Sequence, residues 1–239
     1  MGTKGIVARG LKNPSRVPKY LLGLPIIKTR EYLLQREVSN KDSKIVLQKP
    51  WLKVRICKER NAKFIVKGKL AFLSMWEGNT PISIYLEEDA TLQIDGDFNI
   101  GNGVKIYVAK NGFLKIGGKC SQSVSGITCD SKIFVNKSVE IGQDFTCAWG
   151  VFISDCDWHT IQYDKNISPI QADVKIGDHV WISHDCSILK GTKIGNNCIV
   201  GCKSLLTGKT YPANSLLVGT PAKVLKSGCD WKYERGAVI

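Results

Sequence analysis

From Ile176 onward an aliphatic residue falls on every sixth position: Ile176, Ile182, Ile188, Ile194, Val200 and Leu206. The position four later is small or β-branched, as Val180, Cys186, Thr192, Cys198, Ser204 and Thr210. A period of six matches neither the ~3.6 of an amphipathic helix nor the alternation of a half-buried strand. It suits a coil with three flat faces, each face using one hexad. Hexads three apart then stack, which predicts Ile176 over Ile194, Ile182 over Val200 and Ile188 over Leu206 at the ~4.8 Å spacing of paired strands. The implied fold is an all-β parallel β-helix, with aliphatic ladders filling the prism and the small residues beside its corners.

Looser hexads lie upstream. Ile94, Ile100 and Ile106 are followed, after phase slips, by Ile127, Ile133 and Val139, and then by Ile141, Cys147 and Ile153. Phe98, Val104, Phe145 and Val151 take the fourth offset. Each slip marks an insertion at a corner. The largest, residues 154–173, is polar, contains a proline and has no hexad phase; a long excursion from a rigid scaffold is a place to look for function. This divides the chain into a basic, pre-coil α/β segment (1–80), a β-helix (81–210) and a C-terminal cofactor-binding and capping segment (211–239). Something must cover the last coil, whose backbone groups would otherwise be unpaired, and the tail from Lys226 with Trp231 and Tyr233 is the candidate. Pro14, Pro18 and Pro25 are expected to interrupt any long helix near the start.

The chain carries 34 Lys and Arg against 21 Asp and Glu, a formal net charge of +13, which points to an anionic partner. No nucleic-acid-binding motif accompanies the charge, and nucleic acid is set aside. Residues 1–30 contain seven basic residues and no acidic one, and would suit peripheral contact with an anionic membrane or polymer. The nine cysteines are odd in number and form no CxxC pair, so they read as free thiols of a reducing compartment. With no signal-peptide pattern and no apolar run of the ~20 residues a membrane span needs, a cytoplasmic location is expected.

With its hexads, the string Ile176-Gly177-Asp178-His179-Val180-Trp181-Ile182, the segment Val200-Gly201-Cys202-Lys203-Ser204 and Gly219-Thr220-Pro221-Ala222-Lys223, the chain resembles the hexapeptide-repeat acetyltransferases. Within them it is most like the bacterial sugar and polysaccharide O-acetyltransferases. The resemblance implies a left-handed β-helix, a homotrimer with sites between neighbouring prisms, acetyl-CoA as donor and a saccharide as acceptor. It makes His159, at the end of Asp155-Cys156-Asp157-Trp158-His159, the catalytic base, with Asp155 or Asp157 orienting it. Trp181 and Trp158 would wall the substrate and cofactor. Ser183, Gly201, Lys203, Ser204, Thr220 and Lys223 would hold acetyl-CoA, Lys223 and Lys203 being the phosphate candidates. Ser183, Cys202 and Lys203 depart from the smaller residues common at these positions in the family.

The chemistry supports the same base. A sugar hydroxyl is a poor nucleophile at neutral pH, and a positioned imidazole is suited to take its proton. The chain has only three histidines, and His159 alone lies in the unphased loop. The rival readings are N-acetylation of an amino sugar nucleotide, a zinc enzyme like the γ-class carbonic anhydrases using His179, His184 and His159, and a non-enzymatic scaffold. The preferred reading assigns no metal.

Overall fold

The computed structural model describes residues 17–40, 42–120 and 124–233. The basic residues before Val17 therefore lie outside the described part. The chain winds through three sheets of nine, seven and seven strands, visiting them in rotation as a left-handed β-helix whose strands are parallel apart from the last strand of the nine-stranded sheet. Face 1 begins with Lys44–Leu47, face 2 with Val54–Lys58 and face 3 with Lys63–Val66. The stacking expected of the hexads is present: Ile176 pairs with Ile194, Ile182 with Val200 and Ile188 with Leu206. All six are buried, together with Val180, Cys186, Thr192, Cys198 and Ser204 at the small positions. Thr210 is the exception. It is exposed, because the coil is one residue short at Thr207-Gly208-Lys209: Thr210 pairs with the outward Lys193, and Tyr211 rather than Pro212 lies buried over Ile194.

The corners are turned by residues in the left-handed region, among them Asn111, Asp130, Asp144, His179, Asp185, Asn197 and Asn214. Asn and Asp tolerate this conformation better than other side chains. The Ile-Gly pairs of face 3 have a separate reason. A Cβ on Gly142 would lie 2.6 Å from the Asp178 backbone nitrogen, and one on Gly177 2.8 Å from that of Asn196. Coils can stack at strand spacing only if these positions carry no side chain.

The β-helix starts at Lys44 rather than at residue 81, since Lys44–Leu47 already pairs in register with Lys69–Leu73. Here stacked partners are far apart in sequence: Ile45 lies on Leu70 and Phe72 on Ile100, whereas Trp181 lies on Ile199. Long corners destroy the six-residue period while leaving the inward ladder intact, so the early coils have no hexad signature.

The ends are closed in different ways. A helix spans Val17–Gln35 despite Pro25. Pro18 costs little in a first turn, and the loss at Pro25 is offset by what the helix does for the first coil. That coil has no neighbour beyond it. Glu31 Oε1 accepts the Leu47 N–H at 2.9 Å and Gln35 Oε1 that of Ile45 at 3.1 Å, while Arg30 donates to the Pro50 carbonyl and, at 2.7 Å, to that of Leu52. At the other end Ser215–Gly219 pairs antiparallel with Ala222–Ser227. The tail then turns back so that the Trp231 ring stacks on His179 at 4.2 Å, its Nε1–H donating to the His179 carbonyl at 2.9 Å. Among the described residues no helix is long and apolar enough to cross a membrane.

Burial raises the thiol pKa of Cys147, Cys186 and Cys198, while Cys57, Cys120 and Cys202 are exposed. A thiol reagent at neutral pH is expected to label these exposed three in the native protein and Cys147, Cys186 and Cys198 only after denaturation. Ile182→Ala, at a fully buried rung, is expected to destabilise the fold by about 2–5 kcal/mol in a urea titration.

Candidate active site

The excursion at 154–173 is a tethered arm. Its outer part is a two-stranded hairpin, Ile161–Tyr163 against Asn166–Ser168. Its neck is closed by backbone bonds from Ala172 to Asp155 and from Asp157 to Ile170, both 2.9 Å. The base is held by Asp155. This fully buried carboxylate accepts the backbone N–H groups of Asn136, Lys137 and Ser138 at 2.7, 2.7 and 2.6 Å. A buried carboxylate with several donors is a strong fixture, and here it ties the arm to the previous coil.

That role removes Asp155 from the orienting candidates, because its oxygens are committed to backbone donors. Asp157 is also not the expected partner in the expected way. Its carboxylate pairs with Lys190 Nζ at 2.5 Å, and it is the Asp157 carbonyl that faces His159 Nδ1 at 3.3 Å. Lys190 further holds the Ser168 hydroxyl and the Pro169 carbonyl, so one cation gathers both sides of the arm. A carbonyl can only accept, so this contact is made by an Nδ1–H, and in the neutral form of the exposed His159 ring the lone pair then lies on Nε2. Trp158, in the left-handed region, turns its ring toward Tyr107 of face 2 at 5.9 Å.

Trp181 occupies a different face. It is an outward residue of face 1, between Thr146 and Ile199, with its ring 6.2 Å from that of Trp231. The neighbouring row is small, because Ser183 bonds back to Val200 and Ala148 to Ile182, which stacks Ala148, Ser183 and Gly201 at the edge of the face. The N–H groups of Ser183 and Gly201 serve this ladder, donating to Val200 and Leu217, so neither can also donate to a ligand. Lys203, Thr220 and Lys223 lie exposed at the far end, where the Thr220 hydroxyl donates to the Lys203 carbonyl at 3.2 Å. Ser204 does not join them. It is buried inside the prism and accepts the Gly219 N–H at 3.1 Å, which corrects its expected place among the cofactor contacts. Within one chain, then, His159 stands on the side of face 2 and the Trp181 to Lys223 row on face 1.

The remaining histidines bracket one strand from opposite corners. His179 is engaged by the tail, its Nε2 lying 2.8 Å from the Trp231 carbonyl and 3.3 Å from Asp230. His184 stacks flat on Trp149 at 5.0 Å and meets Asp185. Among the described residues no three metal-binding side chains converge. A groove of about 360 Å³ lies on face 3, lined by Lys115, Glu140, Lys175 and the glycines between them, and contains none of the site residues named above. The Trp231 lock, the Trp149 stack and the Lys190 hub had no signature along the chain, since each joins residues brought together only by coil stacking.

Asp155→Asn replaces an acceptor of three N–H groups with a side chain that also presents donors to them. It is expected to lose about 1–3 kcal/mol of stability and to make the arm more susceptible to limited proteolysis, whereas Asp157→Asn, which leaves the carbonyl in place, should change stability far less.

The family model described as bacterial transferase hexapeptide (six repeats) matches residues 173–208. An Escherichia coli protein named for O-acetyl transfer in lipopolysaccharide biosynthesis, WbbJ, is 29% identical over 152 residues, covering 59% of this chain and 74% of that protein. The polysialic acid O-acetyltransferase of Neisseria meningitidis is 29% identical over 179 residues, covering 73% of this chain and 71% of its own length. A galactoside O-acetyltransferase of Lactococcus lactis is 28% identical over 150 residues, covering 57% and 69%. The repeat, the coiled fold and these relatives together make the chain similar to the hexapeptide-repeat acyltransferases, among them O-acetyltransferases of bacterial saccharides.

Proposed function

We propose that this chain is an acetyl-CoA-dependent O-acetyltransferase acting on a hydroxyl of a bacterial surface polysaccharide, and that the acceptor is acidic. The observation that carries the reading is His159: an exposed imidazole on an anchored arm, its Nδ1 facing a carbonyl and its Nε2 free. Nε2 takes the proton of the acceptor hydroxyl as its oxygen attacks the thioester carbonyl, so no acyl-enzyme is needed. The Asp157 carbonyl fixes the tautomer, and the Lys190 and Asp155 contacts fix the arm. Because the N–H groups of Ser183 and Gly201 are already bonded, the donor to the developing oxyanion is some other group, a free amide or a side chain.

The donor fits face 1. Ala148, Ser183 and Gly201 form a shallow strip on which a pantetheine chain can lie close to the backbone, Trp181 walls it, and Lys203 and Lys223 stand at the end where phosphates would need cations. His159 and this strip belong to different faces of one prism, which supports assembly as a homotrimer in which the arm of one subunit reaches the strip of the next. The net charge of +13 favours an acidic acceptor over a neutral one, and the basic residues of 1–30 would suit the cytoplasmic membrane surface where such polymers are made. The zinc reading is disfavoured by the engagement of His179 with the tail.

His159→Ala is expected to lower acetyl transfer by about 10²–10⁴-fold while acetyl-CoA affinity, measured by calorimetry, stays within about twofold. Unchanged turnover would remove His159 as the base. A preference for an amino group over a hydroxyl on matched acceptors would move the activity to N-acetylation.

A further inference from the structure

Face 2 carries two outward rows that run along the prism toward the His159 arm. One is aromatic. Tyr85 and Tyr107 stack at 5.9 Å with their planes 17° apart, Tyr107 meets Phe134 edge-on at 6.0 Å, and Phe134 meets Phe152 at 5.8 Å. Tyr107 also touches Trp158, the residue before His159. The other row is cationic. Lys105 and Lys132 are register partners in adjacent coils, both exposed, and Phe152 continues their row on the next coil. From Tyr85 to Phe152 the two rows span three coil steps, about 14 Å.

The charges on this face are arranged unlike those on face 3. There, Lys115 and Lys67 pair with Asp95, and Lys175 with Glu140. On face 2 the nearby carboxylates are used otherwise: Glu59 accepts the Tyr85 hydroxyl at 2.6 Å and Glu87 accepts that of Tyr107. Among the described residues no carboxylate pairs with Lys105 or Lys132, although like charges directly opposed across a sheet are destabilising. A second protein subunit pressed on this face would bury two unpaired ammonium groups at a considerable penalty. An anionic ligand that keeps them partly hydrated would relieve the repulsion. Along this line Tyr85 is exposed and Tyr107, Phe134 and Phe152 are half-buried; their outward surfaces offer flat apolar area to the C–H faces of successive sugar rings, and the lysines beside them supply the charge.

We propose that face 2 is a binding track for a carboxylate-bearing polysaccharide, which lies along Tyr85, Tyr107, Phe134 and Phe152 with its carboxylates toward Lys105 and Lys132 and so feeds the acceptor hydroxyl to His159. The proposal rests on the saccharide reading above and gives that site its substrate class and direction of approach. It makes the enzyme sensitive to chain length, since a short acceptor reaches His159 without using the track.

The test measures binding without acetyl-CoA, using labelled long chains of polysialic acid and of polygalacturonic acid, a sialic acid disaccharide, and neutral dextran. The wild-type protein should bind at least one of the two acidic polymers, less tightly as salt rises, and dextran far more weakly. The Lys105→Glu, Lys132→Glu double variant should bind that polymer about tenfold more weakly and show a raised KM for it, with kcat on the disaccharide unchanged. Tyr107→Ala should weaken polymer binding at every salt concentration. Failure of the wild-type protein to bind either acidic polymer, or equal polymer binding by the double variant, would overturn the track. So would dissociation of the double variant in sedimentation, which would make face 2 a subunit contact. Polymer binding without acetyl transfer to any saccharide would instead sink the enzymatic reading and leave the track standing.

Discussion

The structure depends on one constraint: parallel strands from successive coils must stack in register so that each inward aliphatic lands on another and each backbone N–H finds the carbonyl of the adjoining coil. Ile182 on Val200 and Ile188 on Leu206 show it most simply. Side chains and backbone are satisfied by the same translation, which is why the prism tolerates very different corners. A corner can lengthen as far as its residues can reach solvent, but an inward residue cannot leave its ladder without opening a void in a close-packed interior. The glycines of face 3 follow from the same translation, since a Cβ there would strike the next coil.

Variation is thereby pushed to the corners and the outward positions, and the chemistry lies there. The arm at 154–173 is long enough to leave the prism and would be of little use if it were loose. Asp155 prevents that by accepting three N–H groups of the preceding coil, and Lys190 by collecting Asp157, Ser168 and Pro169. His159 is thus exposed without being untethered. The same logic appears in the C-terminal tail, where Trp231 fastens the chain on His179 and brings its ring beside Trp181, so that the fastening of the tail also borders the candidate donor strip.

The three faces carry different outward surfaces on one inner core. Face 1 offers a small-residue strip ending in lysines, face 3 a lattice of matched charges, and face 2 aromatic rings with unmatched lysines. None of these differences disturbs the ladders, because outward residues alternate with inward ones and answer to solvent and partners alone. The arm that carries His159 leaves the prism between face 2 and face 3, and under the proposed function it serves an acceptor on its own prism and a donor strip on a neighbouring one.

Much of this could be read along the chain. Hexads from Ile176 to Leu206 determined the β-helix and its stacking, because an inward ladder with eighteen-residue coils writes its period into the sequence, and the loss of that period at Ser154 marked the arm that holds His159. Where corners were longer the period was lost, so the coils from Lys44 read as a pre-coil α/β segment, and Pro25 read as a break in a helix that in fact runs across it. Tertiary structure alone decided what particular side chains do: Asp155 became an anchor rather than a partner of His159, Tyr211 rather than Pro212 came to lie over Ile194, and Lys105 came to lie on Lys132. These outcomes depend on which residues of distant coils meet. That is set by the summed lengths of the intervening corners and the three-dimensional translation of the helix, and no local pattern of residues records it.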